Sequence, residues 1–94
     1  MSSDTKDIIF IGKKPLMTYV TTAIIQLATL PEVTLKARGQ TMGFAIDIAQ
    51  IIIRKTGTTF AIGEIKIASE SLVSSDGRNR DVSTIEIPIK RVIA

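Results

Sequence analysis

The stretch Ile11-Gly12-Lys13-Lys14-Pro15 separates a continuous apolar run, residues 8–11, from a long helical pattern. The apolar run predicts a β-strand that is covered on both faces. Pro15 suits the first turn of a helix, because its missing N–H would have no partner there. Lys13 and Lys14 are therefore predicted at a helix N-terminus, where free N–H groups and the helix dipole favour an anion such as phosphate. The alternative is two solvated lysines in a surface loop.

The composition is that of one small folded domain. The chain has 94 residues, of which 45% are hydrophobic, and a formal net charge of +3 with a pI near 9.5. We expect a flexible tail over residues 1–6 and a single domain over residues 7–94. The polar first residues do not resemble a signal peptide, and no apolar run approaches the ~20 residues of a membrane span. An intracellular protein without membrane contact is expected.

Several kinds of chemistry are poorly supported by the residue types. The chain contains no cysteine and no histidine, which removes thiolate metal sites, disulfides and the commonest general base. There is no P-loop and no nucleophile elbow. Glu64, Glu70 and Glu86 alternate like ordinary outward-facing strand residues. We therefore expect no enzymatic activity, no metal and no cofactor.

The hydrophobic periodicity predicts the element order β-α-β-α-β-β. The first helix is predicted over residues 15–28 and the second over about 42–55, with Thr41 as its N-cap. Strands are predicted over residues 8–11 and 32–38, in a long stretch over 60–73, and from about residue 82. This order predicts an α+β sandwich, with two helices packed on a mixed four-stranded sheet. Pro88 cannot donate to a ladder, so the last strand is predicted to be an edge there, or bulged.

The second predicted helix carries more apolar residues than one sheet can cover. One stripe consists of Met42, Ala45, Ile46, Ala49, Ile52 and Ile53. A second stripe consists of Phe44, Ile48 and Ile51. We interpret the second stripe as a subunit interface. The alternative is a helix that is buried more deeply within the monomer.

Basic residues fall into three clusters. They are Lys13 and Lys14 at the helix start, Lys36 and Arg38 on the outer face of a strand, and Arg78-Asn79-Arg80 at the tip of a hairpin. The Asp76-Gly77 turn signal predicts that hairpin, with arms of about 20 Å at ~3.3 Å per residue. If the clusters share one surface, they suit phosphate contacts without sequence readout. Aromatic residues make up 4% of the chain, so base-stacking platforms are poorly supported.

Four sequence motifs carry a family resemblance. They are Ile11-Gly12-Lys13-Lys14-Pro15, Lys36-Ala37-Arg38-Gly39, Ala45-Ile46-Asp47, and Asp76-Gly77-Arg78 continued by Val82-Ser83-Thr84-Ile85-Glu86-Ile87. In this order and spacing, over about residues 7–91, they resemble the archaeal Alba family of chromatin proteins. The resemblance implies an Alba-like fold, similar to the carboxy-terminal domain of translation initiation factor three.

The resemblance also implies a function and the residues that serve it. It implies a homodimer that binds double-stranded DNA and also RNA, largely without sequence preference, on the chromosome (nucleoid) in the cytoplasm. Lys13 and Lys14 take the centre of the nucleic-acid face, and Arg38 adds phosphate contacts. Arg78 and Arg80 belong to hairpin arms that follow the minor groove. Lys13 matches a lysine whose acetylation weakens DNA binding, through the loss of a charge that pairs with phosphate.

Three positions depart from the family pattern. Gln40 stands where many members have a basic residue, and Phe44 stands where a lysine is usual. Thr56 matches a position that is often a phenylalanine and joins dimers to one another. The basic face is thus leaner than usual, and contact between dimers uses other residues, such as Phe44, or a paralogous partner. Two other functions remain open: a structured-RNA-binding subunit of a ribonucleoprotein, and a pure assembly module.

Overall fold

The computed structural model describes residues 7–92, so the predicted tail over residues 1–6 lies outside the described residues. The elements are β1 (Ile8–Phe10), α1 (Leu16–Leu27), β2 (Glu32–Arg38), α2 (Met42–Thr56), β3 (Phe60–Ile62), β4 (Lys66–Val73) and β5 (Asn79–Arg91). The two helices and the mixed sheet confirm the predicted α+β sandwich. Pro15 is the residue before the first helical residue, so α1 begins one position later than predicted.

The sheet has five strands rather than the predicted four, in the order β1-β2-β5-β3, with β4 also paired to β5. β1 runs parallel to β2, and β5 runs antiparallel to β2. β3 and β4 pair one after the other with the same edge of β5. The predicted long strand over residues 60–73 is therefore two strands, separated at residues 63–65.

Pro88 explains where the long strand divides. The N–H of Gly63 donates to the carbonyl of Pro88 at 2.8 Å, but Pro88 has no N–H with which to return the bond. A side chain at Gly63 would also meet Lys90 Cε at 3.0 Å and Pro88 Cγ at 3.2 Å. β5 lies between β2 and the β3–β4 edge, so the prediction of an edge strand at Pro88 is wrong. The irregularity lies in the neighbouring chain segment that faces the proline.

β1 is covered on one face only. Ile9 and Ile11 are buried against the core, whereas Ile8 and Phe10 point outward and are exposed. β1 forms one edge of the sheet, and both helices pack on the inner face. The prediction of a strand covered on both faces is therefore wrong within the chain. The helices cover only the inner face of the sheet, so the apolar side chains that point outward remain exposed.

The core lies between the inner face of the sheet and the two helices. From the sheet it takes Val33, Leu35 and Ala37 of β2, as the alternation of that strand predicts, and Ile85, Ile87 and Ile89 of β5. α2 buries Ala45, Ile48, Ala49 and Ile52, a set drawn from both predicted stripes.

Ile48 is fully buried at 0% exposure, so its assignment to a subunit interface is wrong. Ile46, placed in the core-facing stripe, is 45% exposed instead. At 100° per residue the stripe that faces the sheet runs between the two predicted stripes. Phe44 is exposed and Ile51 is partly buried, so their place in an interface stays a prediction.

Because Ile48 is buried and Ile46 is exposed, truncating each side chain to alanine should lower the free energy of unfolding by different amounts. Ile48→Ala is expected to lower the free energy of unfolding by about 2–5 kcal/mol, because it leaves a cavity in the core. Ile46→Ala, the matched control in the same helix, is expected to cost less than about 1 kcal/mol. Urea denaturation of both variants measures the difference, and equal costs would contradict this position of α2.

Candidate nucleic-acid interface

Strand directions bring the basic clusters to one end of the sheet. Because β1 and β2 are parallel, their carboxyl ends meet, and the N–H of Ile11 donates to the carbonyl of Lys36 at 2.8 Å. Lys13 and Lys14 follow β1 directly, and Arg38 is the last residue of β2. We call this end of the sheet, with these three residues, the basic end.

The β4–β5 hairpin projects beyond the same end. Arg38 pairs with Thr84 of the antiparallel β5, so residues 79–83 and their partners 69–73 extend past the last residue of β2. At ~3.4 Å per residue this overhang, which we call the arm, reaches roughly 17 Å. The arm therefore starts beside Arg38 and points away from the core.

The tip of the arm differs from the prediction. The turn comprises residues 74–78, and β5 begins at Asn79, so Asn79 and Arg80 lie in the strand and only Arg78 lies in the turn. Gly77 has a φ of 84°, which a glycine adopts without strain. The N–H of Ser74 donates to the carbonyl of Arg78 at 2.8 Å and closes the turn.

Asp76 orders this turn. The Ser74 hydroxyl and the N–H of Arg78 both donate to the Asp76 carboxylate, and these bonds lower the pKa of that carboxyl. Its second oxygen lies 3.8 Å from Nε of Arg78, an exposed pair that contributes little stability. Arg78 is therefore oriented by a carboxylate but remains open to solvent.

Tyr19 fixes the loop that carries the two lysines. Its hydroxyl accepts the N–H of Gly12 at 2.8 Å and the N–H of Lys14 at 3.0 Å. The Tyr19 hydroxyl thus occupies two N–H groups of the loop that precedes α1. What the loop presents is the two exposed ammonium groups, which form no ion pair within residues 7–92. Tyr19 is not among the site residues predicted from the sequence, although a buried tyrosine regularly needs a partner for its hydroxyl.

Lys36 and Arg38 carry carboxylate partners that the sequence analysis did not predict. Lys36 Nζ lies 3.6 Å from Glu86 Oε2, and Arg38 Nη1 lies 3.3 Å from Glu70 Oε1. All four side chains keep a third or more of their surface exposed, so these pairs add little stability. A phosphate at either cation would therefore share it, or compete for it, with a carboxylate.

Gly39 and Thr41 set the direction in which the chain leaves β2. Gly39 has a φ of 59°, and the Thr41 hydroxyl donates to the carbonyl of Arg38 at 2.8 Å. Thr41 stands at the predicted N-cap position of α2, but its hydroxyl makes no bond to the helix. Its side chain instead stabilises the turn next to Arg38.

Removing the Tyr19 hydroxyl tests its hold on the lysine loop. Tyr19→Phe leaves the N–H groups of Gly12 and Lys14 without an acceptor. We therefore expect the free energy of unfolding to fall by about 1–2 kcal/mol. Amide hydrogen exchange at these two residues should accelerate by about tenfold. Thr29→Val, which removes an exposed hydroxyl bonded to Gln26, is the control and should change neither measurement. Unchanged exchange in Tyr19→Phe would contradict the role of the hydroxyl.

The fold and the basic end define a class: a small two-layer α/β protein with a cationic end and a projecting hairpin, suited to an extended polyanion. No helix within residues 7–92 is long and apolar enough to cross a membrane. Within the same residues, no group of three or more acidic side chains is placed to hold a metal ion.

Comparison with known proteins gives the family. The profile of the Alba family matches residues 7–69, and the chain belongs to this family. It is 63% identical over 92 residues to the DNA/RNA-binding protein Alba of Nitrosopumilus maritimus, with 97% of each chain covered. It is 41% identical over 86 residues to the protein of the same name from Methanocella arvoryzae, with 90% of each chain covered.

Solved structures agree with this assignment. Alba from Thermoplasma volcanium superposes with a TM-score of 0.82 at 38% identity, covering 89% of this chain and 99% of that one. ALBA1 from Trypanosoma brucei superposes with a TM-score of 0.70 at 16% identity, covering 92% of this chain and 69% of that one, which shows a shared fold. The resemblance to the Alba family drawn from the motifs is confirmed.

Proposed function

We propose that this protein binds double-stranded DNA without sequence preference, as an architectural protein of the chromosome, and that it also binds RNA. The observation that carries the proposal is the meeting of Lys13, Lys14 and Arg38 at one end of the sheet, with the arm projecting beside them. Relatives named DNA/RNA-binding protein Alba support it. Cations on an exposed end contact phosphates, which are the same in every sequence.

The arm supplies the second part of the proposed surface. Arg80 pairs with Leu72 in the projecting strands, and Arg78 lies in the exposed turn. A narrow, two-stranded arm of this length can follow a groove of the duplex, where its arginines reach phosphates on either side. Asn79 adds an uncharged hydrogen-bonding group, and Lys36 lies at the base of the arm.

We further propose that the protein acts as a dimer that coats and compacts or bridges DNA, through a homodimer or a pair with a paralogue. The support is the exposed apolar surface of the chain, which includes Phe44 on α2 and Ile67 and Val73 on the arm side. A small domain gains stability when such side chains are covered. Two copies would also double the number of cations that face the nucleic acid.

We also propose that acetylation of Lys13 lowers the affinity for nucleic acid, because it removes the positive charge of that side chain.

A salt titration of duplex DNA binding tests the electrostatic contacts. If Lys13, Lys14, Arg38, Arg78 and Arg80 each touch a phosphate, the slope of log K against log salt is about −4.5 per chain, from −0.9 per contact. Lys13→Ala combined with Lys14→Ala should make that slope shallower by about 1.8 per chain and lower the affinity on duplex DNA and on RNA.

A matched double variant controls for the loss of net charge. Arg54 and Lys55 lie in the last turn of α2, and the strand that follows pairs with the part of β5 farthest from the arm. Arg54→Ala combined with Lys55→Ala removes the same charge and should leave the slope nearly unchanged. Equal slopes for both double variants and the wild type would contradict the assignment of Lys13 and Lys14 to the binding surface. They would favour an assembly module instead.

Self-association tests the proposed role of Phe44. Phe44→Lys, which installs the residue usual in the family, should weaken self-association by about tenfold in sedimentation velocity, because a charge then faces the partner. The side chain is 42% exposed, so unfolding free energy should change by less than about 1 kcal/mol. Ile25→Lys on the exposed side of α1 is the control. If Phe44→Lys self-associates and compacts DNA as the wild type does, the placement of Phe44 in the interface is wrong.

A further inference from the structure

Phe10 holds an aromatic ring on the outer face of the sheet, opposite the helices. The side chain is 69% exposed, whereas Ile9 and Ile11 on either side point into the core. The strand register places Phe10 next to Lys36 of β2. A ring that is this exposed contributes little to the stability of the fold, because folding removes little of its apolar surface from water. Its position on the face that carries Lys36 and Arg38 needs another explanation.

A cavity of about 240 Å³ opens beside the ring. It is lined by Phe10, Ile11, Lys36, Ala37, Arg38, Glu70 and Thr84. This volume is below the ~300–1,000 Å³ of pockets for drug-sized ligands, and it suits one planar ring system. The walls combine an aromatic face with a carboxylate and a hydroxyl, which are hydrogen-bonding partners for the edge of a polar ring.

We propose that an unpaired base of single-stranded RNA stacks on Phe10, with its edge directed into this cavity. The inference rests on the proposed function, since the neighbouring cations of the basic end would hold the phosphates on either side of the base. Stacking on an aromatic side chain is tolerant of base identity, because every base has a π-face. The low aromatic content of the chain predicts no extended stacking platform, and Phe10 adds to the electrostatic surface one stacking contact that duplex DNA, with its bases paired and stacked, cannot make.

Charge favours a nucleotide over a second copy of the chain as the occupant. On the β2 side of the ring lie the Lys36–Glu86 and Arg38–Glu70 pairs, whose side chains are between 33% and 59% exposed. A protein partner would have to bury these charges, and interface cores are depleted of charged residues. A stacked base covers only the ring and leaves its own phosphate in the solvent, within reach of the lysine and the arginine.

RNA is favoured over duplex DNA as the source of the base, because its loops and bulges present unstacked bases. Phe10 is the last residue of β1 and stands three positions before Lys13, so an RNA strand that runs from the ring to Lys13 and Lys14 crosses the basic end. Folded RNA presents unstacked bases in loops and bulges, and aromatic side chains recognise such bases by stacking. A DNA duplex presents none without base flipping.

A tryptophan at this position reports stacking directly. The chain has no tryptophan, so Phe10→Trp introduces a single tryptophan, whose emission can be excited apart from that of Tyr19, and keeps an aromatic face. We expect an unstructured RNA oligonucleotide to quench its emission. The same oligonucleotide with abasic residues, and a duplex DNA of equal length, should leave the emission nearly unchanged. Equal quenching by the abasic strand would overturn the proposal, because phosphate contact alone would then explain the signal.

Affinities provide the second readout. Phe10→Leu keeps an apolar strand residue but removes the ring, and it should weaken RNA binding by about 5- to 150-fold, the range for loss of one stacked base. Duplex DNA binding should change by less than about twofold. Ile25→Ala, which truncates a side chain that is 65% exposed on α1, is the control and should alter neither affinity. Equal losses of Phe10→Leu on RNA and duplex would overturn the proposal.

Failure of this inference can be distinguished from failure of the proposed function. If wild-type protein binds duplex DNA with a steep salt slope and Phe10→Leu binds RNA unchanged, only the stacking site is wrong. If no nucleic acid is bound with a salt-dependent affinity, the proposed function is wrong as well. A single-stranded DNA that quenches Phe10→Trp as strongly as the RNA does would overturn the assignment to RNA. A change in oligomeric state of Phe10→Leu would identify a second copy as the occupant.

Discussion

The parallel pairing of β1 with β2 is the constraint on which the basic end of this protein depends. Parallel neighbours need a crossover, and α1 provides it on the inner face of the sheet. Because both strands end at the same edge, the loop that begins α1 and the turn that begins α2 are forced together. An antiparallel pair would have sent Lys13 and Arg38 to opposite ends, and the same cations would then have made no common surface.

Two uncharged groups fix the cations within this frame. The Tyr19 hydroxyl holds the backbone of the lysine loop, and the Thr41 hydroxyl holds the carbonyl of Arg38. Both act on backbone groups rather than on the charged side chains. Glu70 and Glu86 act on the charges themselves, since they occupy Arg38 and Lys36 in the free protein. The exchange of carboxylate for phosphate keeps each cation paired, so these two positions contribute less net attraction than the unpaired lysines.

Much of this fold follows from local pattern, and the exceptions have physical causes. β2 follows from strict alternation, and its predicted bounds, Glu32–Arg38, are those observed. The division between β3 and β4 was missed because its cause, Pro88, lies on the strand opposite. Ile48 was misplaced because the apolar residues of α2 surround most of the helix, and only the packing decides which of them face the sheet. The basic residues follow from charge alone, but the ion pairs of Lys36 and Arg38 depend on the register between strands. Tyr19 acts locally, through bonds to residues five and seven positions earlier in the chain.

The division of the long strand has a consequence for the thermodynamics of binding. β3 pairs near the core, whereas most of β4 is exposed, so the arm is held chiefly by its own hairpin bonds. Segments with few buried contacts occupy the low end of a protein's range of local stability. Any partner that holds the arm in one shape therefore spends part of its interaction free energy on lost backbone entropy. In return, the arm can adjust to grooves of different width, which is a form of tolerance that charge alone does not provide.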